Sequence, residues 1–178
     1  LAFVFDGKAP DLKRNEQEKR AQAKAQAQER LDAAAKDQDT TLMKKYAGRA
    51  ARLDMEMISQ ARELLGHLGI PVVQAPAEGE AQAARIVAEG AAYAVGTQDS
   101  DAFMFGSPRL IKNLTLADKR KAPGRLGFVP IQPERLELQD TLTKLAISQD
   151  QFIALCMLVG TDFNRGGIPG IGAKKALK

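Results

Sequence analysis

The stretch IPVVQAPAEGEAQAARIVAEGAAYAVGTQDSD, residues 70–101, decides the fold. Residues 70–73 (IPVV) are a short apolar run that reads as a strand. Pro76 precedes a helical stretch over about 77–89, which Gly90 closes. Residues 91–96 (AAYAVG) read as the next strand, with Asp99 just past its end. Strand–helix–strand alternation predicts an α/β fold, a parallel sheet with helices on both faces.

Working outward, residues 1–5 (LAFVF) read as a buried strand ended by the turn dipeptide Asp6-Gly7. Residues 109–114 read as one more strand, and 118–133, rich in Lys, Arg, Pro and Gly, as a loop. Helices are expected near 134–146 and 149–159. The segment GTDFNRGGIPGIGAKKALK, residues 160–178, is a Gly-rich turn that opens a basic helix.

Residues 11–36 are of another kind. From Lys13 to Arg30 there is no large apolar residue, only Lys, Arg, Glu, Gln, Asn and Ala. These residues favour helix, and 26 of them would run about 39 Å. A helix polar all round has no core to bury against, so it is expected to project into solvent or line something charged. Residues 37–41 (DQDTT) break it. A second helical stretch, about 42–67, regains apolar positions and ends at Gly66-His67-Leu68-Gly69.

Composition narrows the chemistry. The chain has 178 residues, enough for one domain and an appendage. A single cysteine, Cys156, excludes a disulfide framework and a Cys-built zinc site, and a single histidine, His67, excludes a His-pair metal site. Cys156 lies in FIALCMLV and reads as core, and His67 reads as a helix-end residue. No apolar run approaches the ~20 residues of a membrane span. LAFVFDGKAP carries no charged-then-apolar leader, and both ends of the sequence fall inside elements. The reading is an internal fragment of a longer intracellular protein. The formal net charge of +4 is too mild to name a partner by itself.

The acids carry the chemistry. Asp6 ends the first strand, Glu78 and Glu80 open the helix after residues 70–73, Asp99 and Asp101 follow the strand 91–96, and Asp162 follows the helix ending LVG. Ligands of open parallel sheets bind beyond the carboxyl ends of the strands, so Asp6, Glu78, Glu80, Asp99 and Asp101 are expected on one edge. Singly, each has a plainer reading as a helix-dipole partner or turn residue. Together they would repel by about 4 kcal/mol per pair at 4 Å and an effective dielectric of 20 unless a cation offsets them. All-oxygen ligands favour Mg²⁺ or Mn²⁺, and a two-metal site suits phosphoryl displacement.

Other motif readings fail on detail. Asp99-Ser100-Asp101 lacks the Gly and closing Glu of a calcium loop at the required offsets. In Gly167 to Lys174, Ala173 separates the last Gly from the Lys, unlike a phosphate-binding P-loop. An aspartyl-phosphate phosphatase built on Asp99 would explain neither the long polar helix nor the Gly-rich turn.

Two basic features remain. Residues 11–62 hold twelve Lys and Arg against nine Asp and Glu. Lys13 and Arg20, seven apart, fall on one helix side. In GIPGIGAKK, residues 167–175, Gly170 and Gly172 let backbone approach a partner, and Lys174 and Lys175 add charge beside a helix N-terminus. Such a turn grips nucleic-acid backbone without reading bases.

FVFDGKAPDLKRNEQEKR, IPVVQAPAEGEAQAA, AVGTQDSDAFMFGSPRLI and LVGTDFNRGGIPGIGAKKAL together resemble the flap endonuclease family of structure-specific nucleases, closest to the archaeal form. The resemblance runs through nearly the whole chain. It implies a Rossmann-like (PIN-like) parallel sheet flanked by helices, with a helical arch over residues 11–62. A helix-two-turn-helix element is implied to begin at 160–178, within a single nuclease core over 1–178. By that resemblance Asp6, Glu78, Glu80, Asp99, Asp101 and Asp162 match metal-binding carboxylates. Lys13 and Arg20 match basic residues that contact the scissile phosphate. Residues 160–178, with the DNA-binding candidates Gly170, Gly172, Lys174 and Lys175, match the element that holds duplex backbone, with K⁺ at the same element. The family's first metal-binding Asp would precede Leu1, and a sliding-clamp-binding tail would follow Lys178.

The expected function is a Mg²⁺-dependent 5′ flap endonuclease and 5′–3′ exonuclease of DNA replication and repair, with two ions that Mn²⁺ can replace. The alternatives are a non-catalytic DNA-binding module, or a related nuclease acting on gaps or junctions.

Overall fold

The structure is a computed structural model that describes residues 1–51, 53–114, 119–121 and 127–178. It divides into two compact units, Leu1–Phe3 with Ala9–Val73, and Val4–Lys8 with Gln74–Lys178. Strands β1 (Phe3–Phe5) and β2 (Val72–Gln74) pair with each other, and the boundary between the units runs through both.

The first unit is helical. A 3₁₀ turn, Asp11–Lys13, leads into α1 (Arg14–Lys36). The expectation of a helix with nothing to bury needs correction. Ala27 and Ala34, two turns apart on one face, are buried, and α1 packs on α2 (Thr40–Ala50). Alanine is small enough to admit a neighbouring helix closely, so a face without large apolar residues still makes an interface. Arg30 of α1 stacks 5.7 Å from the Tyr46 ring of α2. The break between the helices falls where expected: Gln38 takes a left-handed φ of 55°, and the Asp39 carboxylate caps α2 through Thr41 and Leu42 N–H, both at 2.9 Å.

The expected single helix over 42–67 is two. Helix α2 ends at Ala50 and α3 spans Met55–His67. The Asp54 carboxylate accepts from Met57 N–H at 2.7 Å and starts α3 afresh. No Gly or Pro marks that break, so apolar spacing alone runs straight through it. His67 closes α3 and lies 3.5 Å from Glu63.

The second unit holds the α/β core. Helix α4 (Gly79–Ala88) follows β2, and β3 (Val95–Gly96) pairs in parallel with β4 (Arg109–Lys112). Between them lies the one-turn helix α5 (Asp101–Met104). Ala84, Val87, Val95, Ala102, Phe103 and Leu110 form the buried cluster, with Leu136, Leu138 and Phe152 packed against it. Only residues 95–96 of the expected strand 91–96 join the ladder.

Two further expectations change. Residues 134–137 are not helix: Glu134–Glu137 is β7, antiparallel to β4, and only Leu138–Leu145 forms α6. Leu136 pairs with the fully buried Leu110, and that apolar pairing holds the segment extended. The sheet is therefore mixed. The expected loop 118–133 contains β5 (Lys119–Lys121) paired antiparallel with β6 (Phe128–Pro130). The rest of that reading falls partly on 118 and 122–126, outside the described residues.

Helix α7 (Gln149–Val159) starts with a capping box between Ser148 and Gln151, and α8 spans Ala173–Ala176. Among the described residues no single helix is long and apolar enough to cross a membrane.

Candidate metal centre

Each acid is delivered by local structure. The turn Asp6-Gly7 follows β1, and Gly7 N–H donates to Ala77 O at 2.6 Å. A Cβ on Gly7 would lie 2.3 Å from Ala75 O and 2.5 Å from Pro76 O, so only glycine lets this turn approach the segment leading into α4. The Asp6 carboxylate then accepts from Gly79 N–H at 2.6 Å, at the first residue of α4. That N–H has no partner within its own helix, and Asp6 supplies one. Glu78 sits at the cap position of α4, and Glu80 lies in its first turn.

Across the core, Asp99 follows β3 by three residues. Its Oδ1 accepts from Ser100 N–H at 2.7 Å and from Asp101 N–H at 3.3 Å, so the carboxylate folds its own turn. Asp101 is the first residue of α5. Thr97 links the two sides. Its Oγ1 donates to Glu80 Oε1 at 2.7 Å and accepts from Asp99 N–H at 3.1 Å.

These contacts bring Glu80, Asp99 and Asp101 together. One carboxylate oxygen from each lies within 4.8 Å of the others. Asp6, Glu78 and Asp162 fall outside this triplet. Three charges this close repel by about 3 kcal/mol per pair at an effective dielectric of 20. Glu80 and Asp101 are half-buried and Asp99 is exposed, so water can enter and an ion can reach the acids. Carboxylate oxygens without nitrogen or sulfur donors fit a hard divalent cation. Burial pushes the Cys156 thiol up, and the Asp101 charge adds to that shift.

The remaining predicted residues are placed as follows. Asp162 lies in a turn that Asn164 organises. Asn164 Oδ1 accepts from Thr161 N–H at 3.0 Å and Thr161 Oγ1 at 2.8 Å, while its Nδ2 donates to Met157 O at 2.6 Å. Gly170 takes a φ of 78°, and Lys175 Nζ donates to its carbonyl at 2.8 Å, so this lysine closes the turn. Gly172 caps α8, and Lys174 is exposed. Lys13 and Arg20 belong to the helical unit. There Arg20 Nε donates to Glu16 Oε1 at 2.8 Å, and Glu16 is buried despite its charge.

The contacts that Thr97, Asn164 and Glu16 make beside the predicted site residues were not legible in the sequence. The available signal was proximity: Thr97 stands two residues before Asp99, and Asn164 two after Asp162.

The family model of the XPG I-region matches residues 69–162, just over half of the chain. The chain belongs to the XPG I-region family. The matched XPG I-region takes in Glu78, Glu80, Asp99, Asp101 and Asp162. The chain is 48% identical over 176 residues to flap endonuclease 1 of Aeropyrum pernix, which covers 99% of this chain and 50% of that protein. Among solved structures it resembles the flap endonuclease-1 from Methanococcus jannaschii, with a TM-score of 0.66 and 38% identity over 99% of this chain and 52% of the other. The catalytic core of Rad2 in complex with DNA substrate gives a TM-score of 0.65 and 28% identity over 99% and 45%. The α/β arrangement is thus like that of the flap endonuclease-1 and Rad2 structures, with helices flanking a small sheet. The chain spans about half the length of the curated relatives it matches.

Proposed function

We propose that this chain is the core of a structure-specific 5′ nuclease that cuts flapped DNA, acting inside the cell in replication and repair. The observation that carries the proposal is the approach of Glu80, Asp99 and Asp101 to within 4.8 Å at the end of β3. The four sequence motifs and the flap endonuclease 1 relatives support the same reading. So does the likeness to Rad2, which was captured with DNA substrate.

The chain's own residues divide the work. Glu80, Asp99 and Asp101 would hold Mg²⁺, or Mn²⁺ in its place. Asp6, Glu78 and Asp162 would complete a two-ion set by their match to the family pattern. Bound divalent ions supply charge stabilisation to the attacking and leaving oxygens of a phosphodiester hydrolysis. Asp6 also fixes the start of α4, and with it Glu80, through Gly79 N–H. Lys13 and Arg20 would put positive charge beside the scissile phosphate, with Glu16 orienting the Arg20 guanidinium. Gly170, Gly172 and Lys174 would present backbone N–H and charge to duplex phosphates. Lys175 would contribute through the turn it closes. A K⁺ ion at that turn and a sliding clamp as partner of the whole protein belong to the same proposal.

The reading is tested by Mg²⁺ titration with a 5′-flap duplex, using protein of the relatives' full length that carries this chain. Cleavage at the flap junction that rises with Mg²⁺ and stops on chelation is expected. Tight flap binding with no cleavage at any Mg²⁺ or Mn²⁺ concentration would establish the non-catalytic alternative. Preference for a gap or junction over a flap would move the protein within the superfamily.

A further inference from the structure

We infer that Thr97 is a positioning residue of the carboxylate centre, whose hydroxyl bridges Glu80 to the Asp99 turn and sets the two acids at a common ligand distance. The inference rests on the metal-dependent reading proposed above.

The geometry is specific. Thr97 Oγ1 donates its proton to Glu80 Oε1 at 2.7 Å and accepts from Asp99 N–H at 3.1 Å. A hydroxyl has one proton and two lone pairs, so it serves both partners at once. Neither a carboxylate nor a lysine at this position could do so. Thr97 is itself anchored, because its N–H donates to Ile111 O at 3.2 Å, directly beyond the β3–β4 ladder. One side chain therefore joins the start of α4, the end of β3 and the Asp99 turn.

The bridge matters because the two acids are carried differently. Glu80 has three side-chain torsions and sits on α4, whereas Asp99 is folded into its own turn. The hydroxyl takes one Glu80 oxygen and restrains where that carboxylate sits. It also fixes the Asp99 backbone, from which the Asp99 carboxylate hangs. The β-branched Thr has a restricted χ1, so the hydroxyl points with little freedom. Groups that orient metal ligands in this way typically change metal affinity or activity 10- to 100-fold when removed.

The test uses protein of the relatives' full length that carries this chain, with Mn²⁺ as the probe. Mn²⁺ affinity is read by electron paramagnetic resonance, and folding by circular dichroism. Thr97→Val is expected to weaken Mn²⁺ binding by roughly 10- to 100-fold while the fold persists. Thr97→Ser, which keeps the hydroxyl, is expected to stay close to wild type. Thr97→Ala carries the same expectation as Thr97→Val should the valine not fold. Hydrogen exchange of the Asp99 amide in metal-free chain gives a readout that needs no ion. It is expected to speed up in Thr97→Val and not in Thr97→Ser. Unchanged Mn²⁺ affinity in Thr97→Val, or equal losses in the Val and Ser variants, would overturn the inference and leave the metal centre standing. A wild-type protein of that full length that takes up no Mn²⁺ would overturn both.

Discussion

Asp99 both folds its own turn and stands in the carboxylate triplet. Its Oδ1 accepts from Ser100 and Asp101 N–H, as a turn aspartate does, while one of its carboxylate oxygens lies within 4.8 Å of Glu80 and Asp101 oxygens. Asp6 is similar: it satisfies Gly79 N–H at the helix start and stands at the end of β1. A turn or cap contact leaves such a carboxylate able to accept further, because an ionised carboxylate accepts through several lone pairs. Cys156 reports on the same neighbourhood. Burial, and then the Asp101 charge, disfavour its thiolate and hold its pKa above the usual thiol range. Its alkylation by iodoacetamide should therefore rise with pH later than that of a free thiol, as measured by mass spectrometry across pH 7–10. The linkage has a definite sign. Above the ordinary thiol pKa the unfolded chain releases the proton while the folded chain keeps it, so this group's contribution to stability falls as pH rises. An alkylation profile matching free cysteine would place Cys156 in water and away from Asp101.

Among the elements, those marked by sharp local chemistry were legible in the sequence. Asp6-Gly7, Gly90 and Asp39 each punctuate the chain, and β1, α4 and the α1–α2 break fall beside them. The Glu80, Asp99 and Asp101 grouping was legible for the same reason, since strand ends fix where such acids emerge. The rest depends on partners far away in sequence. Residues 134–137 read as helix by local pattern and become β7 only because Leu136 meets Leu110. The β5–β6 pair depends on cross-strand bonding within a stretch rich in turn residues. Thr97 gained its role from Glu80, 17 residues earlier. The Gly-rich turn before α8 yields a prediction of its own. Lys174→Ala should weaken duplex DNA binding about equally for all sequences. It should reduce the log–log salt slope by roughly 0.9, the value for one lost phosphate contact. Lys175→Ala should act differently, because Lys175 closes the turn at Gly170 O, and its loss should also raise amide exchange at residues 170–173. An unchanged salt slope in Lys174→Ala would remove this lysine from the DNA interface.

For the whole molecule, the proposed cationic and acidic roles fall in different compact units. The helical unit holds Lys13 and Arg20, and the α/β unit holds all six acids. Binding to DNA would draw on the cations and on backbone N–H groups, while bond cleavage would draw on the acids. These two properties should therefore separate under mutation. The most direct measurement is single-turnover cleavage of a 5′-flap duplex at saturating Mg²⁺ by Asp101→Ala, in protein of the relatives' full length carrying this chain. Losing a carboxylate that positions a metal forfeits several kcal/mol of transition-state stabilisation. At about 1.36 kcal/mol per tenfold, the rate should fall about a thousandfold or more. Flap affinity, measured in Ca²⁺, should persist or tighten slightly, because one negative charge near phosphate is gone. An Asp101→Ala protein that cleaves at near wild-type rate would contradict the assignment of this carboxylate triplet as the catalytic metal centre.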